Sequence, residues 1–282
     1  MVKRYPDGSR TIVATIGVLG ASHGLRPKCD KTDRDPEQTA KENRERAQRR
    51  ARAAVRDLAL ANRFEWFVTL TLDPQKIDRY DPKEVVRKAG QWLSNAVRRR
   101  GLKYVLVPEH HKDGAIHFHG FMSGDLGAVD SGRKDKGGHD VFNLTAWPYG
   151  FSTAIRPYGE HRAAVAYCCK YIAKQGDRIG GRWYYSGGDL ERPEVEWCDI
   201  DPAAMVEMGA FEYKPKGAKP VWILDLPGGS EYHRTPDLTG LVEVGLLFGE
   251  SQTPPPEWAP GGFWHPQPDE WREQIRMEEI RK

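Results

Sequence analysis

Two histidines and a glutamate in one stretch have the types and spacing for chemistry. The stretch is Leu102 to Met122, LKYVLVPEHHKDGAIHFHGFM. His117 and His119 stand two apart in an apolar run from Ala115 to Met122. On a β-strand, whose side chains alternate between faces, both imidazoles point to one face and Phe118 to the other, toward a core. An earlier apolar run with β-branched Val105 and Val107 ends at Pro108-Glu109. The polar His111-Lys112-Asp113-Gly114 lies between the two runs, which predicts a β-hairpin. The turn decides where Glu109 falls. A two-residue Asp113-Gly114 turn pairs Glu109 with Phe118 and puts the carboxylate on the wrong face. A three-residue loop with Gly114 as a G1 bulge pairs Glu109 with His117. In that register two imidazoles and a carboxylate form a divalent-metal donor set with open positions. His110 and His111 stand as alternatives for the third ligand, and a chance pair on a surface strand is the bland alternative for the whole motif.

The second chemical cluster lies about fifty residues downstream, in Arg162 to Gln175, RAAVAYCCKYIAKQ. It is Ala-rich and free of Gly and Pro, which predicts a helix. Val165, Cys168, Cys169 and Ile172 form an apolar stripe. Tyr167, Lys170, Tyr171 and Lys174 fall at i, i+3, i+4 and i+7 and share another face. A lysine beside a tyrosine favours the phenolate and can hold a phosphate oxygen. The alternative is that both tyrosines pack at a sheet edge.

Together these stretches resemble the HUH endonuclease superfamily, specifically the rolling-circle replication initiators (Rep proteins). The strand Phe67-Val68-Thr69-Leu70-Thr71-Leu72 is similar to motif I of that family, and His117-Phe118-His119 to its metal-binding motif II. The placement of Glu109 is similar to the third ligand of viral Rep proteins. Motif III, Tyr-x-x-Lys, occurs twice, as Tyr167-Cys168-Cys169-Lys170 and Tyr171-Ile172-Ala173-Lys174. The doubling resembles the two-tyrosine initiators of small single-stranded DNA phages. The resemblance covers roughly Phe64 to Ser186, and relaxases carry their tyrosine before the HUH strand rather than after it.

The elements that must position these residues follow along the chain. Thr11 to Val18 reads as a short strand. Pro36 to Asn62 reads as a helix carrying Arg44, Arg46, Arg49, Arg50, Arg52 and Arg56, either a solvated face or a non-specific grip on phosphates. Phe64 to Leu72 is a strand. Asp81-Pro82 opens a helix that runs to Arg100, with Val85, Val86, Ala89, Trp92, Leu93, Ala96 and Val97 as its buried stripe. Arg98, Arg99 and Arg100 sit at its end, beside the negative end of the helix dipole and available to DNA. Ser123 to Asp140, rich in Gly, Asp and Lys, reads as a mobile loop near the site. Phe142 to Trp147 and Phe151 to Ile155 read as a strand pair, and Gly180 to Gly188 as a short strand between turns. There Trp183 and Tyr184 either stack on unpaired bases or pack in the core. Strands at Val221-Leu224 and Leu241-Phe248, a Pro-rich Thr253 to Pro268 segment and a charged C-terminal helix complete the chain.

The 282 residues carry a net charge of +3 that is unevenly spread. Residues 186–282 hold 9 Lys and Arg against 19 Asp and Glu, a net of -10, so the first 185 carry +13. The basic part coincides with the motifs, as a nucleic-acid-binding nuclease requires. Hydrophobics at 39% with nine Trp suffice for a core, while mean hydropathy of -0.69 and 20 Pro point to polar, irregular ends. No run reaches membrane-spanning length and no signal peptide is seen, so no membrane is expected. Cys29, Cys168, Cys169 and Cys198 show no CxxC pairing. Adjacent Cys168 and Cys169 suit helix packing better than a disulfide, which fits a reducing cytoplasm. No P-loop motif is present, so a helicase would come from the host.

The expected fold is α/β (α+β): a ferredoxin-like, mostly antiparallel sheet with helices packed on one face. The strand–helix–hairpin–strand–helix order supports it and the resemblance implies it. The expected domains are a basic N-terminal arm and helix (1–62), the endonuclease domain (63–188) and an acidic, Pro-rich extension (189–282). The resemblance implies that Mg2+ or Mn2+, held by Glu109, His117 and His119, polarises a phosphate oxygen while a tyrosine attacks phosphorus. It further implies a 5′-phosphotyrosine and a free 3′-hydroxyl on single-stranded or extruded origin DNA, with a host helicase and polymerase as partners. Tyr171 is expected to attack first, with Tyr167 as the second nucleophile and Lys170 and Lys174 assisting. Three rivals remain: an HUH transposase; a histidine-triad hydrolase, which lacks its third His because position 121 is Phe; and a non-enzymatic zinc or single-strand-binding protein using His110, His111, His117 and His119.

Overall fold

In a computed structural model the described residues are 1–15, 35–157, 161–174, 177–214, 220–226 and 228. In chain order the elements are β1 (Val2–Arg4), β2 (Arg10–Thr15), α1 (Pro36–Ala61), β3 (Trp66–Thr71), α2 (Pro82–Arg100), β4 (Lys103–His110), β5 (Ile116–Ser123) and β6 (Ala128–Lys134). They continue as β7 (Asp140–Leu144), β8 (Ser152–Ile155), α3 (His161–Lys174), β9 (Tyr185–Gly187), β10 (Glu194–Glu196), α4 (Pro202–Glu207), β11 (Phe211–Tyr213) and β12 (Val221–Leu226). This is a mixed α and β protein with two antiparallel sheets and four helices among the described residues. None of these helices is long and apolar enough to cross a membrane.

The chain forms two compact units: Met1–Lys41 with the described residues from Arg192 onward, and Glu42–Glu191. In the first, five strands pair in the order β10-β1-β2-β12-β11. The expected strands at Thr11 and Val221 are neighbours here, with Ile12 opposite Leu224. Val2, Ile12, Ala14, Trp222 and Leu224 form a small core with Met205 of α4. Strands from the first fifteen residues and from beyond residue 190 thus share a sheet. Strands β1, β10 and β11 are three residues each, too short for an alternating pattern to announce them. Leu241-Phe248, Thr253 to Pro268 and the C-terminal helix lie outside the described residues.

The second unit holds a seven-stranded antiparallel sheet in the order β6-β7-β8-β3-β5-β4-β9. Local chemistry sets several of its boundaries. The Asp81 side chain accepts from the Lys83 N–H, Pro82 begins α2, and Gly101 at φ 61 ends it in the left-handed region. The β4–β5 hairpin closes through Lys112-Asp113-Gly114, with Gly114 at φ +88 and the His111 N–H bonded to the Ala115 carbonyl. That is the three-residue loop, and Glu109 pairs with His117.

Helices cover both faces of this sheet, not one as expected. Val85, Ala89, Leu93 and Ala96 of α2 pack with Leu70, Leu106, Ile116, Phe118 and Met122 on one face. The alternate residues of the same strands face α3, which packs on β4 and β5. Helix α1 lies on α3: Gln48 donates to the Ile172 carbonyl at 2.6 Å, and His161 meets the Ala59 carbonyl at 2.8 Å. The reason is in the neighbouring strands: buried Phe67 of β3 and Val105 and Val107 of β4 lie beside Phe121 on the face opposite the α2 core, so that face too must be covered. The 123–140 segment also departs from expectation. Its middle is β6, paired with β7 through a bulge at Asp130/Arg133, at the sheet edge away from β5 and β4. Being almost wholly exposed, β6 has no apolar period to betray a strand.

Candidate metal and tyrosine site

The site is built on the α3-facing side of β3, β5 and β4. Threonines 69 and 71 of β3 lie directly opposite His119 and His117 of β5. Thr69 Oγ1 sits 3.1 Å from His119 Nδ1, and Thr71 Oγ1 sits 3.2 Å from His117 Nδ1. With each Nδ1 engaged, each ring is oriented with Nε2 as its outward donor atom. These two hydroxyls contact the histidine rings, a placement that the resemblance to motif I does not by itself assign. Their two-residue spacing, matching that of the histidines, was the available signal.

Glu109 reaches the pair from β4. Its Oε2 lies 3.1 Å from His119 Nε2, and both side chains are nearly buried. Neighbouring ligands on an octahedral ion with bonds of about 2.1 Å stand roughly 3.0 Å apart, so this spacing suits two donors on one cation. His117 shares the face, its ring 5.2 Å from that of His111. Among the described residues no three His, Cys, Asp or Glu side chains gather closely enough to hold a metal ion. A cation there would have Glu109 and His119 in place, with His117 moving in to complete the set. His110 meets the Gly114 carbonyl at 3.0 Å and His111 meets the Asp113 carboxylate at 3.1 Å.

Helix α3 brings the phenols to this pair. The Tyr171 ring stacks on His119 with centroids 4.1 Å apart and planes 5° from parallel. Its hydroxyl donates to the Tyr167 hydroxyl at 2.8 Å. Tyr171 is buried, at 3% exposure, while Tyr167 is half-buried against Phe67. Burial first, and then the neighbouring Tyr167 and Glu109, push the Tyr171 phenol well above its ordinary value, so the phenol is held protonated. Lys170 Nζ lies 5.9 Å from the Tyr167 ring centre and Lys174 Nζ 5.8 Å from that of Tyr171. The apolar stripe holds α3 down: Cys168 and Cys169 are buried free thiols, and Cys169 Sγ lies 3.6 Å from the Arg52 carbonyl.

The expected DNA contacts are scattered. Arg98, Arg99 and Arg100 are exposed at the end of α2, on the opposite sheet face and beside the start of β4. Six residues of strand, roughly 20 Å, separate Lys103 from Glu109. Arg50 is exposed on α1, and Arg49 pairs with Glu45 at 4.0 Å. Trp183 is 6% exposed, so its ring is covered rather than offered to a base.

Residues 65–176 match a family model of replication-associated proteins, the ORF2 type, less than half of the chain but all of the strands and the helix that carry this site. No curated protein and no solved structure matches the chain. The match supports a rolling-circle replication initiator.

Proposed function

We propose that the chain is a metal-dependent single-strand DNA endonuclease and strand transferase that initiates rolling-circle replication through a tyrosine. One observation carries the reading. The Tyr171 ring lies flat on His119 at 4.1 Å while His119 meets Glu109 at 3.1 Å, so the tyrosine motif and the histidine motif form one site. The replication-associated family match supports the substrate class.

His119 and Glu109, joined by His117, would hold Mg2+ or Mn2+, which when bound supplies positive charge to polarise a non-bridging phosphate oxygen. The protein's own residues do the rest. The Tyr171 oxygen attacks phosphorus in line, the P–O3′ bond breaks, the phenol loses its proton and the 3′-oxygen gains one. The products are a 5′-phosphotyrosine and a 3′-hydroxyl, and no external energy source is needed to rejoin them. Tyr167, at hydrogen-bond distance, would be the second nucleophile that releases the strand. Lys170 and Lys174, whose ammonium groups lie 5.9 Å and 5.8 Å from the ring centres of Tyr167 and Tyr171, would assist by countering the charge of the phosphate.

The test is adduct capture. A labelled pool of random single-stranded oligonucleotides is incubated with the chain in Mn2+ and resolved on a denaturing gel. A covalent adduct is expected from wild type, loss of most labelling from Tyr171→Phe, and none from Tyr167→Phe/Tyr171→Phe or from His119→Ala. Labelling by the double tyrosine variant would exclude this mechanism, and undiminished labelling by Tyr171→Phe would reverse the order of the two phenols.

A further inference from the structure

Strand register extends the row of candidate metal residues onto one more strand. Thr71 of β3 stands opposite His117 of β5, and His117 opposite Glu109 of β4. On its other edge β3 pairs with β8, Thr69 opposite Thr153 and Leu70 opposite Ser152. The pairing continues just before β8, where the Thr71 N–H donates to the Phe151 carbonyl at 2.8 Å. Phe151 therefore heads the row that runs through Thr71, His117 and Glu109. Ala154 packs in the α2 core, so Thr153 and Phe151, one and three residues before it, point to the opposite face, the one that carries both histidines. At about 4.8 Å per strand, two strand spacings place Phe151 roughly 10 Å from His117.

Phe151 is 52% exposed, and Thr71 and Thr153 beside it are half-buried. Its backbone is firmly seated. Gly150 runs so close to β3 that an added Cβ would meet the Thr71 carbonyl oxygen, which also accepts from the Trp147 indole N–H at 3.1 Å. Tyr167 packs on Phe67, so the flank of α3 that carries the phenols lies over β3, the strand beside Phe151. An aromatic ring is thus held in water on the open side of the site. Its exposure costs free energy that a flat apolar partner recovers, and every unpaired base offers such a face.

We propose that Phe151 stacks on the base that adjoins the cut linkage of single-stranded DNA. The inference rests on the nuclease reading above and names the contact that seats the substrate strand. The stacked base holds the strand over β3 and β8 while the phosphate reaches the histidines. Bases stacked in a duplex have no free face for the ring, so the same contact selects a single strand.

The experiment measures binding of a fluorescent pool of random single-stranded oligonucleotides to the full chain, without metal and across a salt titration. Phe151→Ala should weaken binding about 5- to 150-fold, the range for one base–aromatic stack. The log–log salt slope should stay at the wild-type value, because no phosphate contact is lost. Phe151→Trp should keep the affinity, whereas Phe151→Leu, apolar but without a π-face, should lose it. Melting curves establish that each variant is folded, and Phe151→Leu carries the test if Phe151→Ala does not fold. Equal affinity of wild type and the folded Ala or Leu variant overturns the proposal, as does a wild type that does not bind the pool. So does a wild-type dimer, seen by sedimentation, that Phe151→Ala dissociates with DNA binding unaltered, since the ring would then serve a second copy of the chain. Failure of the nuclease reading shows separately, as the absence of any covalent adduct from a wild type that binds the pool.

Discussion

Replacing Thr69 by Val tests how the β3 hydroxyls serve the histidines. Val nearly matches Thr in shape and suits a strand, so packing on β3 is retained. What is lost is the Oγ1 placed 3.1 Å from His119 Nδ1. The His119 side chain is only 5% exposed, so water cannot take the hydroxyl's place. The stability loss should be about 1–2 kcal/mol, the usual cost of stranding a buried polar atom. With its ring no longer held, His119 should present Nε2 less well, and Mn2+ affinity should fall about 10- to 100-fold. Thr71→Val provides the contrast. His117 is only partly buried, so water can replace Thr71 Oγ1, and both effects should be smaller. The measurements are thermal melts and Mn2+ titrations by calorimetry, repeated as the Mn2+ dependence of adduct formation. Identical Mn2+ binding by wild type and Thr69→Val refutes the positioning role. An equal or larger effect from Thr71→Val refutes the argument from burial.

Two further outcomes test the frame around the site. Gly120 stands on β5 between His119 and Phe121 at φ +157, and a Cβ there would run into the Val105 carbonyl oxygen. Gly120→Ala should therefore cost about 3 kcal/mol or more in urea unfolding, and wild-type stability would mean that β4 and β5 are not packed as described. Burial pushes the Cys169 thiol to about 11 and the Cys168 thiol well above its ordinary value. At pH 8 about one Cys169 in a thousand is a thiolate, so iodoacetamide should label Cys198 in the folded chain and spare Cys168 and Cys169 until urea is added. Rapid labelling of that pair, mapped by mass, would contradict the seating of α3.

The sequence by itself determined what depends on neighbours within a few residues. The Asp81-Pro82 cap and Gly101 stop delimit α2, the Ala-rich run delimits α3, and Gly114 supplies the positive φ that the hairpin loop requires. Two-residue spacing put both histidines on one face, and four-residue spacing put both tyrosines together, because those periods are fixed by backbone geometry. Only the tertiary structure decided which elements meet. Strand pairing is made by backbone hydrogen bonds common to all residues, so nothing local announced that β2 would pair with β12 or that β6 would form at an exposed edge. The choice between the two hairpin registers, both allowed by the turn residues, placed Glu109 opposite His117 and within reach of His119. Apolar residues on both faces of the sheet, Phe67, Val105, Val107 and Phe121 on one and the α2 core on the other, drew a helix to each and set Tyr171 against His119, a contact between residues more than fifty positions apart. Trp183 shows the same limit from the other side. Its type suggested a stacking surface, whereas packing around it covered the ring and left the indole N–H without an acceptor, a fact of burial that no local pattern encodes.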